Sequence, residues 1–177
     1  MSRITTSWPA ASQSSAAEIW DAAGHEVVIL DIVTRAFERL PSTFRGTALR
    51  GDGTDEDVLR RAGAEGADVF LAMTEGDNRN VMAAQVAVEA LGVGKVVAKI
   101  NDPLRATAYA ELGIATLCRT GLMLDALNAH LGMPPSGLPG MLASSGHHHT
   151  GGDHDPLAAP ADGSTSSGAA SDAAVEA

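Results

Sequence analysis

Four short polar segments each follow an apolar run, and they carry the side chains best suited to binding a ligand. These segments are Asp31, the turn Gly51–Thr54, the stretch Thr74–Asn80 and the stretch Lys99–Asp102. Open α/β sheets bind ligands beyond the carboxyl ends of their parallel strands, near the point where the strand order reverses. If the apolar runs are such strands, the four segments lie at that edge of the sheet.

Two acidic residues in these segments could contact the sugar and the base of a nucleotide. Asp31 closes an apolar run, where a carboxylate can accept hydrogen bonds from both hydroxyls of an adenosine ribose. A solvated acid or a helix cap explains it equally well. Asp52 could accept from an adenine amino group, while Gly51 and Gly53 let the backbone approach the ring. A plain turn followed by a helix explains this tetrapeptide too, with Thr54 as the expected N-cap in either case.

The segment after the third apolar run also has two explanations. Thr74 and the adjacent backbone could line a nucleotide cleft. Asp77 and Asn80 could meet a ligand or cap the long helix that follows, and capping alone explains Asp77.

The sequence offers little for catalysis or metal binding. His25 fits a turn before a strand, and His130 fits a favourable contact with a helix dipole. No serine or cysteine has the context of a nucleophile elbow, and Cys118 fits a small core residue in an apolar run. Four histidines, His147, His148, His149 and His154, lie in the glycine-rich end of the chain. We expect this end to be disordered, so it would not hold them in a fixed metal-binding geometry.

Apolar runs and helical patterns alternate along the chain and must position these segments. The strands are predicted at Val27–Ile32, Thr47–Arg50, Ala67–Met73, Lys95–Ile100 and Ile114–Cys118. Helices are predicted at Thr34–Leu40, directly after Thr54, and at Asn78–Leu91, Pro103–Leu112 and Leu122–Leu131. Alternation with short connections predicts an open sheet of parallel strands in the α/β class, with right-handed crossovers.

Charge and composition divide the chain of 177 residues. Its 12 basic and 22 acidic residues give a formal charge of −10, which speaks against a nucleic-acid partner because that needs a basic face. No apolar run approaches the roughly 20 residues of a membrane span, and the start of the chain lacks the apolar core of a secretory signal. The stretch 134–177 has no basic residue and is rich in Gly, Ala, Ser and Pro, so we expect a disordered acidic tail.

The motifs, taken in order, resemble one family. The stretches GHEVVILD, LRGDGTDEDVLRRAGAEGADVFLAMTEGDNRNVMAAQVA, VVAKINDP and LGIATLC are similar to the TrkA N-terminal domain, also called the RCK N-terminal domain. This domain belongs to regulatory subunits of Trk-type potassium uptake systems. The resemblance runs from about Gly24 to Leu131 and implies a Rossmann-like domain at 24–133, with helices on both faces of the sheet.

The resemblance implies a regulator rather than an enzyme. Such a subunit lies in the cytoplasm at the inner face of the membrane, binds NAD(H) or ATP/ADP, and gates a membrane potassium transporter or channel. It assembles as a homo-oligomer or pairs with a second regulatory subunit. The implied cleft residues are Asp31 at the ribose, Asp52 at the adenine, and Thr74, Asp77 and Asn80. Lys99 falls where the family more often has arginine, and lysine lacks the planar fork that grips phosphate in two places.

The chain departs from the family pattern at its front. The family opens with a strand and a G-x-G-x-x-G turn, whose glycines admit a pyrophosphate to a helix N-terminus. Those three glycine positions fall on Trp8, Ala10 and Gln13. Ile4–Ser7 still fits a short strand and Ser15–Ala23 the end of its helix. We therefore expect 1–23 to form a degraded first unit, with impaired phosphate binding and poorly paired neighbouring strands.

Two other functions stay open on sequence alone. A Rossmann-type oxidoreductase would need a catalytic His, Lys or Tyr facing the nicotinamide, but the lone tyrosine, Tyr109, lies within a predicted helix. A ring subunit that binds no ligand would account for the missing glycines. The last predicted helix suits contact with a second copy, although packing on its own sheet explains its apolar residues equally: Leu122, Met123, Leu127 and Leu131.

Overall fold

A sheet of seven strands forms the body of the protein in a computed structural model, which describes residues 2–7 and 10–143. The strands are β1 (Arg3–Ser7), β2 (Glu26–Asp31), β3 (Thr47–Arg50), β4 (Val69–Ala72), β5 (Val96–Ile100), β6 (Ala115–Cys118) and β7 (Met141–Leu142). The α-helices are α1 (Ala10–Ala22), α2 (Glu56–Arg61), α3 (Asp77–Gln85), α4 (Pro103–Glu111) and α5 (Arg119–Leu131). Two 3-10 helices lie at Thr34–Arg39 and Ala64–Gly66, and a π-helical segment at Val86–Ala90 continues α3.

The strand order is β3-β2-β1-β4-β5-β6-β7, and β1 to β6 are parallel. The order therefore reverses between β1 and β4. Helix α1 and the first 3-10 helix cover one face, where Ala17 and Phe37 pack on Val27 and Ile29. Helices α2, α3 and α4 cover the other face in a larger core built around Phe70. The predicted open α/β sheet with helices on both faces is confirmed.

Strand β1 lies at the centre of the sheet and is paired on both sides. All five of its residues pair with β2, and four of them also pair with β4. The expected poor pairing of its neighbours is wrong, because the ladder is made by backbone groups that any non-proline residue supplies. The polar side chains of β1 do not disturb the pairing, but their burial costs folding free energy. Thr5 and Thr6 are buried, and in the described structure their hydroxyls have no hydrogen-bond partner.

Three helices differ at their boundaries from the sequence-based expectation. Asp55, not Thr54, caps α2, since its carboxylate accepts from the backbone N–H of Val58 at 3.1 Å. Helix α3 begins at Asp77 after Gly76, with no side-chain cap, and its regular part ends at Gln85 rather than running to Leu91. The last helix begins three residues earlier than predicted, directly after β6.

The chain after α5 folds back instead of leaving the body at Pro134. The backbone N–H and hydroxyl of Ser136 both donate to Asp125, each at 2.7 Å. The backbone N–H of Cys118 donates to the carbonyl of Gly140 at 2.6 Å, and β7 then pairs antiparallel with β6. The tail expected at 134–177 therefore contributes a strand at its beginning. Residues 144–177, including the four histidines, lie outside the described residues.

Two further features of the described part complete the fold. Cys118 is fully buried, as expected of a small core residue. Among the helices of these residues, none combines the length and the apolar character that crossing a membrane requires.

Replacing Thr5 or Thr6 with valine should raise the free energy of unfolding by about 1 kcal/mol each, because valine keeps the shape and removes an unpartnered buried hydroxyl. Urea unfolding followed by circular dichroism measures this. Thr116→Val is the matched control, since Thr116 is equally buried but donates to the carbonyl of Ala106 at 3.1 Å. This control should lose stability. A similar loss in all three variants would contradict the assignment of unpartnered hydroxyls to β1.

Candidate functional site

A cavity opens at the carboxyl ends of β1, β2 and β4, where the strand order reverses. Its volume is about 320 Å³, at the lower end of the range for small-molecule sites. The described residues that line it are Ser7, Leu30, Asp31, Ile32, Val33, Asp52, Gly53, Thr74, Glu75 and Arg79. The cavity thus combines an apolar strip from the end of β2 with a polar rim from three loops.

Four of the nine residues predicted for the site line this cavity, namely Asp31, Asp52, Gly53 and Thr74. The other five lie beside or behind it. Gly51 borders a shallower depression on the outer side of the same turn. Thr54 hydrogen-bonds to Asp52, Asp77 and Asn80 hold the loops in place, and Lys99 lies behind Glu75.

The end of β2 places Asp31 at the rim. Four consecutive buried residues anchor the strand, from Val27 to Leu30. Directly after them, Oδ1 of Asp31 accepts from the backbone N–H of Val33 at 2.8 Å. The carbonyl of Asp31 accepts from the N–H of Gly51 at 3.0 Å, which joins the ends of β2 and β3. The carboxylate is therefore held at the cavity mouth by its own turn.

The turn after β3 fixes a second carboxylate. Oδ1 of Asp52 accepts from the backbone N–H of Thr54 at 3.0 Å and from its hydroxyl at 2.9 Å. The hydrogen bond from the Thr54 backbone, more than any other contact, lowers the pKa of Asp52 and favours its charged form. A Cβ atom at Gly53 would lie 2.8 Å from the hydroxyl of Ser7. Glycine is therefore required for the close approach of this turn to β1.

Asn80 is fully buried and joins the ends of β4 and β5. Its Oδ1 accepts from the backbone N–H and the hydroxyl of Thr74, both at 2.7 Å. Its Nδ2 donates to the carbonyl of Thr74 at 3.0 Å and to the carbonyl of Lys99 at 2.7 Å. Asn80 therefore neither caps α3 nor reaches the cavity. Its role is to position Thr74 at the rim.

Asp77 ties α3 to the loop after β5. Its Oδ1 accepts from the backbone N–H of Asn101 at 3.0 Å and from the side-chain amide of the same residue at 2.8 Å. The guanidinium of Arg105 lies 3.9 Å from the other carboxylate oxygen. The expected capping by Asp77 is wrong, because its side chain contacts the next loop rather than the N-terminus of its own helix.

Lys99 lies almost buried in β5, with its Nζ 3.9 Å from the carboxylate of Glu75. Burial lowers the pKa of Lys99, and the charge of Glu75 opposes that shift. Glu75 is a lining residue of the cavity and Lys99 is not, so the charge of Lys99 influences the cavity through Glu75.

The TrkA-N domain model matches residues 13–120, which is more than half of the chain. The chain belongs to the TrkA-N domain family. It is 45% identical over 104 residues to the Trk system potassium uptake protein TrkA of Streptomyces coelicolor, covering 59% of this chain and 47% of that protein. A TrkA homolog of Archaeoglobus fulgidus is 35% identical over 82 residues, covering 46% of this chain and 18% of that protein. The chain thus spans about half or less of the length of these relatives.

Two solved structures share the fold of this TrkA-N domain. The Kef C-terminal domain of Shewanella denitrificans, in its AMP-bound form, superposes with a TM-score of 0.60 at 20% identity, covering 73% of this chain and 79% of that one. The NAD(P)-binding domain of an exopolyphosphatase-related protein from Archaeoglobus fulgidus gives a TM-score of 0.61 at 19% identity, covering 75% and 98%. At these identities the likeness establishes a Rossmann-like fold.

Sequence reasoning missed six lining residues of the TrkA-N cavity. They are Ser7, Leu30, Ile32, Val33, Glu75 and Arg79. Glu75 and Arg79 lie in the stretch Thr74–Asn80 already singled out, Glu75 just before α3 and Arg79 in its first turn. The position of Ser7 follows only from the order of the strands, which places β1 between the two loops.

Asn80→Ala should lower the free energy of unfolding by roughly 3 kcal/mol, because four hydrogen bonds are lost and buried backbone groups keep no partner. Urea unfolding gives the value. Asn78→Ala, at an exposed position of the same helix, is the matched control and should lose less than about 1 kcal/mol. Equal small losses would contradict the positioning role of Asn80.

Lys99→Met should stabilise the fold near neutral pH. Burial lowers the Lys99 pKa below its ordinary 10.5, so the unfolded chain keeps this proton to higher pH than the folded one. Wild-type stability should therefore rise with pH through that interval, and the advantage of Lys99→Met should shrink towards pH 10. Unfolding curves across this range measure the difference, with exposed Lys95→Met as the control. A constant advantage of Lys99→Met across the range would contradict this.

Proposed function

We propose that this TrkA-N domain is the sensor of a regulatory subunit in a potassium uptake system. It binds an adenine nucleotide, NAD(H) or ATP/ADP, and passes the ligand state to a membrane potassium transporter or channel. The observation that carries the proposal is a cavity at the switch point of a TrkA-N sheet, with Asp31 and Asp52 on its rim. The potassium uptake proteins among its relatives supply the physiological context.

The cavity geometry supports a nucleoside pose. The Asp31 carboxylate accepts from the ribose hydroxyls, as the acid at the end of the second strand does in dinucleotide folds. The Asp52 carboxylate accepts from the adenine amino group, and Gly53 allows the ring to approach the backbone. Ile32 and Val33, which line the cavity, contact the face of the ring or sugar.

The charged groups of the cavity support a sensor rather than an oxidoreductase. Its described lining holds three carboxylates and one guanidinium as ionisable groups. Tyr109 is the tyrosine that could serve as a catalytic residue in hydride transfer. It lies on α4, with its hydroxyl 3.5 Å from Arg105, and is not among the described residues that line the cavity. We therefore propose a regulator that works by a change of shape, located in the cytoplasm at the inner face of the membrane.

Helix α5 supports assembly with another subunit. Among its 13 residues only Gly121 is buried. Packing of its apolar side chains on their own sheet is not what the structure shows, since the exposed fractions are 43% for Leu122, 55% for Met123, 51% for Leu127 and 65% for Leu131. We propose that this apolar stripe contacts a second copy or a second regulatory subunit.

Isothermal titration of the full chain with NADH, NAD, ATP and ADP tests the ligand. Asp31→Asn and Asp52→Asn should each weaken binding by about tenfold, because each removes a charged acceptor worth roughly 1.5 kcal/mol or more. Asp57→Asn, an exposed acid on α2 outside the cavity lining, is the matched control and should leave the affinity unchanged.

Absence of binding tighter than millimolar for every adenine ligand tested would contradict the sensor role. If the chain then still copurified with a membrane potassium transporter without nucleotide, a ring subunit that binds no ligand would replace the proposal.

A further inference from the structure

We infer that the cavity recognises the nucleoside part of its ligand and that each added phosphate weakens binding. The ligand class is then adenosine or a nucleotide with few phosphates, rather than a triphosphate. This inference rests on the proposed function and names the ligand class of the same cavity.

The charge of the cavity opposes phosphates. Its described lining contains Asp31, Asp52 and Glu75 against the single cation Arg79, a formal charge of −2. The two hydrogen bonds that Thr54 donates to Asp52 favour its charged form. A cavity whose lining carries an excess of negative charge repels negatively charged ligands.

Two of the cations near the cavity, Lys99 and Arg79, already interact with a carboxylate. The Nζ of Lys99 lies 3.9 Å from Glu75, whose side chain is 73% exposed. The charge of Arg79 acts on Asp52, where it favours the ionised carboxylate. A phosphate group entering the cavity therefore competes with Glu75 and Asp52 for these two cations.

The sequence also lacks the glycine-rich turn that binds a pyrophosphate in Rossmann sheets. The glycines of that turn let the backbone and a helix N-terminus approach the phosphates closely. Trp8, Ala10 and Gln13 occupy the three positions. The three glycines that would let the backbone approach a pyrophosphate are therefore missing from these positions of the sequence.

Although the glycines are missing, the cavity still has the groups that can bind a nucleoside, namely two carboxylates and an apolar strip. Asp31 and Asp52 are each fixed by hydrogen bonds from neighbouring backbone N–H groups, at 2.8 Å and 3.0 Å. Leu30, Ile32 and Val33 give the cavity an apolar strip. A neutral adenosine can satisfy both carboxylates and cover this strip without bringing a negative charge.

Titration of the full chain with adenosine, AMP, ADP and ATP tests the inference. Two unit charges about 8 Å apart at a protein surface interact by an amount equivalent to severalfold in affinity, reduced by salt. We expect ATP to bind about tenfold more weakly than adenosine. The gap should narrow as the salt concentration rises from about 0.05 M to 0.5 M, because screening removes repulsion.

A charge variant makes the test specific. Glu75→Gln removes one carboxylate and releases Lys99, so the affinity for ATP relative to adenosine should rise by about tenfold. Glu89→Gln is the matched control, with the same change of net charge at an exposed position in the π-helical segment, about 18 Å along the helix from the start of α3. This control should leave the ratio unchanged.

Three results would count against the inference, and they can be told apart. ATP binding as tightly as adenosine, or more tightly, would overturn it while leaving the nucleotide sensor intact. An equal ratio for Glu75→Gln and wild type would overturn the role of the carboxylates. Failure of all four ligands, adenosine included, would overturn the proposed function and the inference together.

Discussion

The backbone ladder of β1 is the constraint on which the rest of the structure depends. This strand pairs with β2 on one side and β4 on the other, so it alone sets the distance between the loops that carry Asp31 and Thr74. Its last residue, Ser7, lies against Gly53 and closes the floor of the cavity between them. The ladder forms although the side chains of Thr5 and Thr6 are polar, because the pairing groups belong to the backbone.

Polar residues behind the rim hold the loops in place, and a different set of polar residues lines the cavity. The side chain of Asn80 makes four hydrogen bonds, all of them to Thr74 and Lys99. The carboxylate of Asp77 accepts from Asn101. The motif T-x-x-D-x-x-N therefore acts mainly as a support that fixes two loops. Of its three fixed residues, only Thr74 lines the cavity.

The sequence predicted β2 to β6 to within two residues. Except for the short β3, these strands are apolar runs bounded by turns, which leave little choice of element. It did not separate Thr54 from Asp55 as the cap of α2, since adjacent residues were both competent caps. Strand β7 has two residues and no periodicity, so its pairing depends on the fold-back held by Asp125 and Ser136. The missed lining residue Ser7 needed the order of the strands, which is a long-range property.

The central claim is that an adenine nucleoside binds at the edge where the strand order reverses. Mapping backbone amide chemical shifts of the full chain during an adenosine titration tests it most directly. Binding in the cavity predicts saturable shifts centred on Val33, Gly53 and Thr74, which lie on three different loops. Shifts centred instead on Gly24, His25 and Gly46, around the depression at the opposite edge of the sheet, would contradict it.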